Sequence, residues 1–74
     1  MDKFSHLEAY VAVVESGSFS KASERLGLAK SVLSRRVTQL EEHLGTRLLH
    51  RTTRSLRVTD AGTEFYRRSV QLLH

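Results

Sequence analysis

Cysteine is absent from the 74 residues, so no disulfide and no thiolate-bound metal can staple the fold. Long apolar runs are absent too. None approaches the roughly 20 residues that a membrane-spanning helix needs. The opening stretch MDKFSHLEAY carries acids and has no signal-peptide core. Together these absences lead to an expectation of a cytoplasmic protein. Aromatic residues number only five (Phe4, Tyr10, Phe19, Phe65 and Tyr66), mostly at core-like spacings, which argues against a surface on which bases stack. The four histidines, His6, His43, His50 and His74, are scattered without metal-ligand spacing, so no metal site is expected. Size sets a further bound. A chain this short is at most one domain and buries about 60% of its unfolded surface, so a partner or further chain is expected to contribute to its stability.

The acids present are unevenly placed. Lysine and arginine total 12 against 8 acids, for a net charge of +4 and a pI near 10.1. Arg25, Lys30, Arg35 and Arg36 fall in a stretch without acid, as do Arg47, Arg51, Arg54 and Arg57. Acids occupy the first 24 residues, Glu41-Glu42, Asp60 and Glu64. Such a segregated positive field suits a polyanionic partner.

Hydrophobic spacing gives the elements. Phe4, Leu7, Val11 and Val14, with Tyr10, recur at helical intervals, which predicts a first helix over residues 4–15 stopped at Ser16-Gly17. Ser18 is a good N-cap for a short second helix whose inward residues are Phe19, Ala22 and Leu26. Gly27 ends it, and Leu28 returns to the core. A third helix over 30–43 turns Leu33, Val37, Leu40 and Leu44 inward. At about 100° per residue its opposite face carries Ser31, Ser34, Arg35 and Thr38, with Lys30 at the edge. Short hydroxyls and long cations suit a major groove, where cations reach guanine edges and Ser or Thr adapt to either base. Two helices joined by so short a turn must cross steeply, as in a helix-turn-helix. Residues 47–51 and 55–59 are extended candidates around Thr52-Thr53-Arg54, a two-stranded wing with Leu48, Leu49, Leu56 and Val58 as apolar contacts. An arginine at the wing tip, Arg54, is placed to enter a minor groove. Thr59 caps a fourth helix whose early acids, Asp60 and Glu64, favour its N-terminus, and Gly62 there points to a close backbone approach. Phe65, Tyr66, Ser69, Val70, Leu72 and Leu73 spread over more than one face, one for the core and one for a second copy. No stop signal precedes His74, so this helix is expected to be cut short.

These residues resemble the LysR-type transcriptional regulators. The likeness runs from Phe4 through Gly17-Ser18-Phe19-Ser20 to Val58-Thr59-Asp60-Ala61-Gly62. It includes LEEHLGTRLLHR at 40–51, similar to the family's LExxLGxxLFxR. The resemblance implies a mainly α fold, a winged helix-turn-helix over 1–58, followed at 59–74 by the start of a linker helix. It also implies double-stranded DNA with a partly palindromic operator as partner, pairing as a homodimer through the linker helix, tetramers in the full-length protein, and a nucleoid location. The small-molecule effector would bind only a C-terminal domain absent from these residues, so no cofactor is expected here. By position, base contacts would fall to Lys30, Ser31, Ser34, Arg35 and Arg54. Backbone contacts would fall to Ser18, Ser20, Arg36, Thr38, Arg51 and Thr53. The chain departs from the family at Ala29-Lys30-Ser31, where Ser-Gln-Pro is usual. Ala29 forgoes an N-cap hydroxyl, at about 1 kcal/mol, and Lys30 moves preference towards guanine or phosphate. Leu49 for phenylalanine is a conservative core change.

Two other classes compete: a sequence-independent nucleic-acid binder, and a protein-interaction or dimerisation module with an incidental basic face. An enzyme is not expected. Nine serines sit mostly at caps and on the polar helix face without a partnered base.

Overall fold

The structure is a computed structural model that describes residues 2–52 and 55–73. The order is α1 (Lys3–Ser16), α2 (Phe19–Leu26), α3 (Lys30–Leu44), β1 (Leu49–Arg51), β2 (Leu56–Val58) and α4 (Asp60–Leu73). The four helices fall within two residues of the sequence-based bounds. The strands are shorter than the five-residue runs expected on each side of the turn.

α1 begins where the Asp2 carboxylate accepts from the Phe4 and Ser5 amides, at 3.0 and 3.5 Å. It packs against α2, α3 and α4. That central position explains a departure from the expected stripe. Ala9, Tyr10, Val11, Ala12 and Val13 are all buried, a continuous run and not one face, because neighbours surround the helix. Phe4, read from its spacing as core, is 63% exposed at the uncovered first turn.

In α2 the Ser18 hydroxyl caps as expected, accepting from the Lys21 amide at 3.1 Å. Ala22 is fully buried, small enough for a close helix approach. Gly27 has a φ of 69°, the left-handed conformation that stops the helix cheaply only in glycine. The Ser23 hydroxyl donates to the Leu28 carbonyl and ties the turn down. α3 then starts from Ala29, which makes no side-chain cap bond, as its methyl requires. Leu33, Val37 and Leu40 are buried beneath it.

The wing is antiparallel, in the register Leu49↔Val58, His50↔Arg57 and Arg51↔Leu56. Just outside it the Thr59 amide still donates to the Leu48 carbonyl at 3.1 Å, while side chains take other flanking groups. The Leu48 amide goes to Glu41, and the Thr59 hydroxyl donates to the Arg47 carbonyl at 2.7 Å. Thr59 also accepts from the Gly62 amide at 2.9 Å, which is the expected cap of α4. The Tyr10 hydroxyl donates to the Gly62 carbonyl at 2.8 Å, and its ring meets Phe65 edge-on, with centroids 5.7 Å apart. α4 is thereby seated on α1.

Burial, and then the nearby charge of Glu41, push the Tyr10 phenol up to about 12. Its neutral form is the one the fold stabilises. The contribution is complete below pH ~10, the unfolded value, and is lost as pH rises from there through the folded value. Tyr10→Phe is expected to flatten the dependence of thermal stability on pH between about 10 and 12. Melting followed by circular dichroism across that window checks it, and an unchanged slope would refute it.

Candidate nucleic-acid interface

α3 places its polar side chains as the spacing required. Lys30, Ser31, Arg35 and Thr38 are exposed, and Ser34 and Arg36 are half-buried. Leu33, Val37 and Leu40 lock the inward stripe of the same helix into the core, so the outward set is held by a rigid element; Leu44, expected inward, is instead 41% exposed in the last turn. Val32, Arg35, Arg36 and Gln39 flank a shallow hollow of about 260 Å³ beside α1, closed by His6. His6 is 6% exposed, with Nδ1 2.8 Å from the Asp2 carbonyl and Nε2 2.8 Å from Gln39 Oε1. It is a strut between α1 and α3. The Asp2 carbonyl only accepts, so Nδ1 is the donor of that bond.

On the opposite flank α3 meets the wing. The sequence left Glu41 as an acid past the polar face. The structure buries it to 8% exposure, and its Oε2 accepts from the Leu48 amide at 2.7 Å and the Leu49 amide at 3.1 Å. Arg47 Nε lies 3.7 Å from the same oxygen. One carboxylate thus satisfies the backbone that leads into β1 and fixes the wing against α3. The available signal was its position four residues after Val37, at the edge of the inward stripe. Glu42, by contrast, is exposed.

Arg51 of β1 reaches across to α3. Its Nη1 donates to Ser34 Oγ at 2.7 Å and its Nη2 to Thr38 Oγ1 at 3.5 Å. Its guanidinium carbon lies 4.6 Å from the centroid of the Phe19 ring. Arg51 also lines an open hollow of about 310 Å³ with Ser18, Phe19, Thr52 and Ser55, between the start of α2 and the wing. Ser20 is exposed in the first turn of α2. Thr52 and Ser55 close the wing turn, the Thr52 amide donating to the Ser55 carbonyl at 2.9 Å. Thr53 and Arg54, assigned to phosphate and to the minor groove, lie outside the described residues.

The residues assigned to pairing divide. Ser69 is 1% exposed, and its hydroxyl donates to the Phe65 carbonyl at 2.8 Å. Phe65 and Tyr66 pack on the domain's own core. The Tyr66 hydroxyl donates to Glu15 at 2.7 Å, and Arg25 pairs with the same carboxylate at 2.8 Å, joining α4, α1 and α2. That bond to an anionic acceptor holds the Tyr66 phenol above its ordinary value. Leu72 is 68% exposed, with Val70 and Leu73 half-buried beside it. Among the described residues no three His, Cys, Asp or Glu side chains gather as a metal site, and no helix is long and apolar enough to cross a membrane.

Helix-turn-helix, two-stranded wing and trailing helix define a winged helix-turn-helix domain. Residues 4–63 match the family model described as the bacterial regulatory helix-turn-helix protein, lysR family. The chain belongs to that family. It is 52% identical over 67 residues to the HTH-type transcriptional regulator CrgA of Neisseria meningitidis, covering 90% of this chain and 22% of that protein. It is 46% identical over 68 residues to the HTH-type transcriptional regulator BenM of Acinetobacter baylyi, covering 92% and 22%. The chain therefore spans about a fifth of the length of these relatives. Its fold superposes on the BenM DNA-binding domain in a complex with catB site 1 DNA with a TM-score of 0.92 at 44% identity, covering 99% of this chain and 81% of that one. The CbnR DNA-binding domain in its DNA complex gives 0.92 at 33% identity, covering 99% and 83%.

Proposed function

We propose that this chain is the sequence-specific, double-stranded DNA-binding domain of a bacterial transcription regulator, with α3 in the major groove. The observation that carries the reading is the outward face of α3. Lys30, Ser31, Arg35 and Thr38 stand exposed on a core-anchored helix, with no acid among them. The DNA complexes of the similar BenM and CbnR domains support it. Lys30, Ser31, Ser34 and Arg35 would read bases, and Arg54 the minor groove. Ser18, Ser20, Arg36, Thr38, Arg51 and Thr53 would position the phosphates, those of α2 and the wing around the hollow they share.

Residues 1–58 would form the DNA-binding unit and 59–74 the start of a linker helix that pairs two copies, with the exposed Leu72 at its outer side. A partly palindromic operator follows from such a pair. In the full-length protein, a regulator and not an enzyme, tetramers and a small-molecule effector would belong to the four-fifths of a relative's length outside this chain. Its place would be the cytoplasm, at the nucleoid.

Selection of bound duplexes from a random pool, at stated salt, tests the reading. A defined half-site should emerge, and affinity for it should fall steeply as salt rises. Arg35→Ala should cost about 1–3 kcal/mol on that site and relax one base position. Equal retention of random duplex in competition would point to a sequence-independent binder. Absence of any salt-sensitive binding would leave only a protein-interaction module.

A further inference from the structure

The arrangement around Arg51 goes beyond phosphate contact. A guanidinium carries donors only. With Arg51 Nη1 at 2.7 Å, Ser34 Oγ must accept. One of its lone pairs is taken, and its proton points elsewhere. A helical serine often returns that proton to the carbonyl one turn back, as Ser69 does to Phe65. Ser34 makes no such bond among the described residues. Its hydroxyl proton is therefore available on the face that also carries Ser31, Arg35 and Thr38. Stacking on Phe19 and the second bond, to Thr38, hold the guanidinium plane in place. A lysine has neither the fork nor the flat face to do the same.

We propose that Arg51 is a positioning residue for base readout, which fixes Ser34 as a hydrogen-bond donor towards the groove. A serine left to itself takes either role. With its proton free and one lone pair already occupied, it favours an acceptor edge (guanine O6 or N7, adenine N7, thymine O4) over the amino group of cytosine, which only the remaining lone pair could accept. Specificity at one base pair thus depends on a wing residue that touches no base. The inference rests on the DNA-binding reading above.

The test uses the 74-residue chain with Ser34→Ala, Arg51→Lys, Arg51→Gln and the Ser34→Ala/Arg51→Lys double variant. Each is carried through duplex selection and a salt titration, with melting recorded to confirm folding. Ser34→Ala should relax one base pair by about three- to tenfold, the size of one net hydrogen bond. Arg51→Lys should relax the same base pair by a similar factor with an unchanged salt slope, because the charge remains. The double variant should go no further than either single one. If Arg51→Lys fails to fold, Arg51→Gln carries the comparison of base profiles. The proposal is overturned if the Arg51 variants keep the wild-type base profile, so that Arg51→Gln weakens every duplex alike and only its phosphate contact remains to explain the loss. It is equally overturned if Ser34→Ala and Arg51→Lys relax different base pairs. A wild-type chain that selects no sequence at all overturns the DNA reading itself, a separate and recognisable outcome.

Discussion

Gly62→Ala is expected to lower the melting midpoint of the domain by about 10–20 °C, at 4–8 °C per kcal/mol for a chain of this size. Helix propensity argues the other way. Gly62 lies in the first turn of α4, where alanine should gain up to about 1 kcal/mol. Packing decides the sign. A Cβ on Gly62 would sit 2.2 Å from the Leu48 carbonyl oxygen, 2.6 Å from the Tyr10 hydroxyl and 2.9 Å from a Val58 methyl. The first of these is backbone and cannot rotate away. Relief requires α4 to lift from the segment that enters β1, which also strains the Tyr10–Gly62 bond. Overpacking of this kind costs about 3 kcal/mol or more, leaving a net loss near 2–3. Against a total stability of roughly 4–11 kcal/mol for 74 residues, that is a large share. Thermal unfolding by circular dichroism checks it, and an alanine variant as stable as wild type would refute the close approach.

Glu41→Ala should be comparably damaging. It removes the acceptor of two buried amides, those of Leu48 and Leu49, and leaves both unsatisfied, at about 2–4 kcal/mol in all. Glu41→Gln separates the causes. Its amide oxygen can still accept from both, so the loss should be about 1 kcal/mol, the difference between a charged and a neutral acceptor. A surface acid would show neither effect, both variants falling within about 0.5 kcal/mol of wild type. The consequence for binding is specific. With β1 no longer clamped to α3, Arg51 loses its fixed reach to Ser34. Glu41→Ala, at a temperature where it remains folded, should therefore also broaden the selected DNA sequence.

Much was legible in the chain because the deciding interactions are local. Ser18, Gly27 and Thr59 mark helix boundaries through bonds made within a few residues. The inward and outward faces of α3 follow from its period alone, since the helix is covered on one side. The glycine at 62 was recognisable as a point of close approach, though not what approaches it. The stripe of α1 failed as a guide at Phe4, because the first turn of that helix is left uncovered, and over Ala9 to Val13, because a helix covered by three others has no single apolar face. The strand runs came out shorter than expected where the Glu41 carboxylate takes the Leu48 and Leu49 amides and the Thr59 hydroxyl takes the Arg47 carbonyl.

The sequence by itself determined the winged helix-turn-helix class, the rigid helix whose outer face is free of acid over its N-terminal half, and the family to which the chain belongs. Periodicity, capping and charge placement are written residue by residue and need no tertiary context. Only the tertiary structure decided that Glu41 is a buried clamp, that His6 is a strut, and that Arg51 is held by Phe19, Ser34 and Thr38. Each of those depends on residues 7 to 33 positions apart in the chain being brought within hydrogen-bonding or stacking distance. No local pattern encodes such a meeting. The packing of α1 between its neighbours and the turn of the wing onto α3 create it.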